Sequence, residues 1–149
     1  MTETAPETSP DTLALSVERT IAAPPERVFD AWLDPAMLMR FMQPGPGMTT
    51  PGATADPRIG GRFDLVMKAG DDEMPHGGVY QVIDRPRRIV FSWESPFSAE
   101  GSTVTLDFTP RGAGTHLRLT HVRFVTEESR DNHRGGWTAI LARLDEVLG

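Results

Sequence analysis

The chain is predicted to fold as an α+β domain in which short antiparallel strands form a sheet covered by one long C-terminal helix. Three observations carry this. In four stretches between residues 62 and 124 the apolar side chains recur at every second position, the period of a strand with one buried face. Turn-like Gly, Pro and Asp residues separate those stretches, so neighbouring strands are joined by short links and an antiparallel meander is the economical topology. Beyond residue 126 the period becomes helical, with Trp137, Ile140, Leu141, Leu144, Val147 and Leu148 on one stripe.

Taken in order, residues 1–12 are rich in Thr, Pro and Glu and read as a disordered tail, leaving 13–149 as a single domain. "LALSVERTI" alternates Leu13, Leu15, Val17, Arg19 and Ile21 against polar partners and reads as the first strand. Pro24 and Pro25 close it and suit the first turn of a helix, where a missing N–H costs nothing. That helix, "ERVFDAWL", places Val28, Phe29 and Trp32 together; Asp34-Pro35 interrupts it, and a second short helix, "AMLMRFM", ends before Pro44. From "PGPGMTTPGA" onward Gly and Pro punctuate the chain. Strands are read in "RFDLVMKA", "HGGVYQVID", "RIVFSWES", "STVTLDFTP" and "LRLTHVRF", with "GDDE" and "RGAGT" as turns. In the last strand Leu117, Leu119, His121 and Arg123 share one face. Thr126 is the expected N-cap of the closing helix, with Glu127 and Glu128 at the positive end of its dipole. A helix from about Glu127 to Leu148 spans roughly 33 Å at 1.5 Å per residue, enough to cross the sheet.

Composition narrows the function. A chain of 149 residues with a formal net charge of −6 lacks the basic footprint of a nucleic-acid groove. Arg85, Arg87 and Arg88 cluster in "DRPRR", where Pro86 marks a solvated turn. No cysteine is present, so disulfides, thiolate catalysis and thiolate metal sites are excluded. The acidic N-terminus has no apolar core of a signal peptide, and no run approaches the ~20 apolar residues that span a bilayer. A cytoplasmic location is expected, with no membrane insertion and no nucleic-acid partner. His76, His116, His121 and His133 show no metal-ligand spacing, no G-x-S-x-G stands between a strand and a helix, and the glycine pairs lack the phosphate-cradling pattern. No metal and no cofactor is expected.

Five segments in order resemble a known family: "APPERVFDAWLDP" (23–35), "IGGRFDLVM" (59–67), "DRPRRIVFSW" (84–93), "THLRLTH" (115–121) and "GGWTAILARLDEVL" (135–148). The order of strand, two short helices, six antiparallel strands and long helix resembles the helix-grip fold of the SRPBCC superfamily, related to birch-pollen-allergen and START domains. The branch it looks most like is named for the activator of the heat-shock chaperone's ATPase. That resemblance implies a curved sheet wrapped around the C-terminal helix, leaving a cavity. It implies binding of a small hydrophobic molecule, cyclase-like or hydrolase-type catalysis, or a co-chaperone role. Where the family often carries tryptophan after the second helix's arginine, this chain has Phe41 and Met42, which changes the expected shape of the pocket mouth.

His121 is the most suggestive side chain, an ionisable ring on an apolar face. Either it anchors a polar group of a ligand, or acts as acid/base, or it is a core histidine bonded to a backbone carbonyl or a tyrosine hydroxyl. Met37, Met39, Met42, Met48 and Met67 are adaptable thioethers that suit an irregular guest or ordinary core filling. Gly60-Gly61 and Gly77-Gly78, read at strand starts, permit bulges and curvature. Gly135-Gly136 either lie inside the helix, leaving room for a close approach, or belong to its entry loop. The expected walls of the cavity are Phe41, Met42, Met48, Phe63, Met67, Phe91, Trp93 and Trp137, with His121 as polar anchor and Tyr80 as a further candidate. The expected partner is a small apolar molecule; a chaperone and a homodimer are carried as alternatives.

Overall fold

The computed structural model describes residues 13–96 and 98–149; the stretch expected to be a disordered tail lies outside the described residues. The elements run β1 (Ala14–Ile21), α1 (Pro25–Ala31), α2 (Pro35–Phe41), β2 (Met48–Ala55), β3 (Arg62–Ala69), β4 (Asp72–Asp84), β5 (Arg88–Ser92), β6 (Thr103–Arg111), β7 (Gly114–Val122) and α3 (Glu127–Leu148). All seven strands form one antiparallel sheet in the order β1-β7-β6-β5-β4-β3-β2, curled around α3. Strands β2 to β7 pair with their sequence neighbours because the links between them are short. β1 is the exception, returning to pair with β7 from Ala14 opposite Val122 to Ile21 opposite Thr115. The two short helices carry the chain from that edge to the other.

Local chemistry explains the helix ends. Pro25 opens α1 and Pro35 opens α2, where the Asp34 carboxylate accepts the Ala36 N–H at 3.0 Å. Thr126 caps α3 by accepting the Ser129 N–H at 3.0 Å, and Glu127 and Glu128 lie in the first turn as expected. Among the described residues no helix is long and apolar enough to cross a membrane. The core is the inner face of the sheet, with Leu65, Ile89, Leu106, Leu117 and Leu119 buried against Trp137, Ile140, Leu141 and Leu144 of α3.

Four local readings change. β2 lies inside the Gly- and Pro-punctuated stretch from which no individual strand was assigned. It tolerates Pro51 because it is an edge strand and its pairing with β3 shifts register between Thr49 and Gly52. β4 starts at Asp72, so only Gly70 and Asp71 of "GDDE" form the turn. Gly77 and Gly78 therefore lie within β4, where a Cβ on Gly78 would collide with the Ser92 carbonyl and with the Phe63 ring. Finally, β7 ends at Val122. Arg123 takes φ 71°, which breaks the alternation and turns Phe124 into the core.

The "DRPRR" segment is the β4–β5 turn, with a cis Arg85–Pro86 bond. Its three arginines are each matched to a carboxylate: Arg85 to Asp30, Arg87 to Asp84 and Arg88 to Asp107.

Candidate functional site

The sheet's register assembles one end of the interior directly. Antiparallel pairing of β3 with β4 sets Phe63 beside Gly78, Leu65 beside His76 and Met67 beside Met74, all on the inner face. Over this end passes the middle of α3, whose His133, Gly136, Trp137 and Ile140 recur at helical spacing. Between the two layers lies a cavity of about 250 Å³. Met67, Met74, His76 and Trp93 form its sheet side; His133, Gly136, Trp137 and Ile140 form its helix side; Pro44 and Met48 close it from the connection after α2. Exposed Asn132 also lines it, marking where the cavity meets solvent.

A chain of rings supports this end. Trp93 packs on His76 at 5.3 Å and on Trp137 at 4.9 Å between centroids. One layer behind, His121 meets Phe124 at 4.4 Å, His133 at 5.4 Å and Trp137 at 6.0 Å. His121 is fully buried and both its nitrogens are engaged. The Trp137 indole N–H donates to Nδ1 at 2.9 Å, which fixes the proton on Nε2, and that N–H donates to the Ser102 hydroxyl at 2.6 Å. Burial, with a smaller contribution from His133, pushes the ring's pKa down to about 3. The ring is neutral near pH 7, with no free nitrogen to offer a guest. Its partners are a serine and a tryptophan rather than the carbonyl or tyrosine hydroxyl considered from the sequence.

The other two histidines at this end are disposed differently. His76 Nδ1 donates to the Met74 carbonyl at 3.0 Å, and His133 Nδ1 donates to the Ser129 carbonyl at 2.8 Å. Since a carbonyl only accepts, each ring keeps Nε2 as an acceptor when neutral. Burial lowers the pKa of His76 below its ordinary value, with the Met74 carbonyl opposing and His133 adding a small repulsive effect.

Of the residues expected to form walls, Met48, Met67, Trp93 and Trp137 line the cavity. Met42, Phe63, Tyr80 and Phe91 instead surround a void of only about 10 Å³ on the side of α2, a filled core. Phe41 packs edge-on against Trp32 at 5.0 Å. Tyr80 stacks with Phe63 and Phe91 and makes no ring contact or hydrogen bond with His121. Its hydroxyl has no partner among the described residues, and burial above all, then the charge of Asp56, raises its pKa to about 12. His76 and His133 are not among the site residues that the sequence points to. Extending the α3 stripe back from Trp137 by one turn reaches His133, and stepping back from Tyr80 by twos reaches His76 and Met74; the glycines and Pro75 between them masked that face.

A sheet curled around a C-terminal helix, with a hollow left at one end, defines a helix-grip domain. The chain belongs to the activator of Hsp90 ATPase homolog 1-like family, whose model matches residues 22–149. Among solved structures it is similar to a Chromobacterium violaceum protein, with 24% identity over 91% of this chain and 96% of that one and a TM-score of 0.80. A Nitrosomonas europaea protein gives 22% identity, coverage of 91% and 94%, and a TM-score of 0.77. An AHSA1-like protein from Aeromonas hydrophila gives 26%, coverage of 89% and 90%, and 0.75. No curated protein matches the chain.

Proposed function

We propose that this domain binds a small, largely apolar molecule between the sheet and α3. The observation that carries the reading is the 250 Å³ cavity, walled by the thioethers of Met48, Met67 and Met74 and the indoles of Trp93 and Trp137. Thioether chains adapt to irregular guests, and indoles supply rigid apolar area at small entropic cost. An apolar cavity of about 150 Å³ is enough to take up benzene, so this one has room for a two-ring skeleton. His121, the ionisable ring expected to act as acid/base, has both nitrogens engaged and is kept neutral by burial, which favours binding over turnover.

The test is a thermal-shift panel of mono- and bicyclic apolar compounds against the wild type and Met74→Trp, which fills the cavity from the sheet side. At a ligand concentration a hundredfold above Kd, stabilisation of about 2.7 kcal/mol corresponds to a rise of roughly 5–10 °C in Tm. The wild type should show it and the variant should not. A flat panel on the wild type, or an unchanged response in Met74→Trp, would overturn the reading.

A further inference from the structure

Resting on that reading, we infer that the ligand carries a hydroxyl group, selected by donating its O–H hydrogen bond to Nε2 of His76 or of His133. Both rings line the cavity, one from each layer. A backbone carbonyl at Nδ1, the Met74 or Ser129 oxygen, sets the same tautomer in both neutral rings, and in that tautomer Nε2 is an acceptor. Neither Nε2 has a partner among the described residues. His121, the third ring of the cluster, has both nitrogens occupied by Ser102 and Trp137 and takes no part.

An apolar molecule without a hydrogen-bond donor would bury two acceptors and return nothing for their lost hydration, whereas a donor satisfies one of them. A carboxylate or other anion would face two lone pairs, so the cavity disfavours it. On the donor side stands Trp93, which also lines the cavity and stacks on His76; its buried indole N–H has no partner among the described residues. An alcohol or phenol gives its proton to an imidazole and keeps lone pairs for such an N–H. A methyl ether of the same skeleton keeps only the lone pairs.

That difference is the experiment. Dissociation constants of 2-naphthol and 2-methoxynaphthalene are measured at pH 7.5 on the full chain, following Trp fluorescence. They are then repeated on His76→Phe, His133→Phe and the conservative His133→Gln, whose amide oxygen restores an acceptor. The naphthol should bind the wild type three- to tenfold more tightly than its ether. Each Phe variant should narrow that ratio towards one, in part by binding the ether more tightly once an acceptor no longer has to be desolvated, and His133→Gln should recover part of the preference. Equal binding of the two probes to the wild type overturns the hydroxyl inference while leaving the apolar cavity standing. Failure of both probes to bind, at concentrations up to their solubility, removes the cavity reading and this inference with it. The wild-type comparison decides the matter even if a Phe variant does not fold.

Discussion

His121 shows how a single polar ring is accommodated at the centre of an apolar layer. The Trp137 N–H and the Ser102 hydroxyl satisfy both nitrogens, so the neutral ring is buried without an unpaired atom. The charged ring has no such match, and its pKa is pushed to about 3. An unfolded histidine takes up a proton near pH 6.5. Between those values the unfolded chain holds the extra proton, so stability falls as the pH falls, by up to about 1.4 kcal/mol per pH unit for this group. His76, also lowered by burial, contributes in the same direction. His121→Phe should lose about 2–4 kcal/mol at pH 7.5, because the Trp137 N–H and the Ser102 hydroxyl are left buried without their partner. In return its stability should decline less steeply than the wild type's between pH 6.5 and 5, above the carboxylate range. Urea unfolding at several pH values checks both, and parallel declines would show that the ring is not kept neutral by burial.

At the scale of elements, α3 carries the clearest signal and one oddity. Its bounds, its cap and its buried stripe follow from the sequence because helical spacing, a threonine cap and two acidic residues all agree. The glycine pair inside it is split in role. A Cβ on Gly135 would meet nothing within 4 Å, whereas one on Gly136 would sit 3.1 Å from the Pro44 Cβ at the cavity's edge. Gly135→Ala should therefore raise stability by about 0.8–1.0 kcal/mol, the ordinary helix-propensity gain. Gly136→Ala should gain measurably less, because the loop after α2 must give way. Chemical denaturation of the two variants separates them; equal gains would mean that Pro44 does not press on the helix. β2 was harder to read, since its Pro51 and Gly52 speak against a strand unless it is known to be an edge. The end of β7 was misread for a related reason: nothing in "THVRF" announces that Arg123 leaves the strand at positive φ. The cavity was half legible. Met67, Trp93 and Trp137 follow from alternation and helical spacing. The histidine pair required knowing which strand faces which helix turn, and Met74-Pro75-His76-Gly77-Gly78 gives periodicity too little to work on.

For the whole molecule, polar ties between the described residues of the sheet and the helix add to the shared core. Asp145, near the C-terminal end of α3, accepts the Ala22 backbone N–H and the Arg19 guanidinium, each at 3.1 Å, fastening the helix to the end of β1. Two residues earlier in the helix, Arg143 donates to the Arg40 carbonyl at 3.2 Å, at the end of α2. Asp145→Ala should cost about 1–2 kcal/mol, most of it from the Ala22 N–H rather than from the half-exposed ion pair. High salt should then recover little of the difference in wild-type stability, and a salt-sensitive difference would assign the tie to Arg19 instead. The pairing of β1 with β7 has a further outcome in time. β1 finds its neighbour only when synthesis has passed β7, so its apolar side chains wait unpartnered while the intervening strands are made. Closing a loop of that span is slow compared with the local hairpins that build the remainder. Maturation of the nascent domain is thus gated by the synthesis of β7, and any arrest before that point leaves an unsealed sheet.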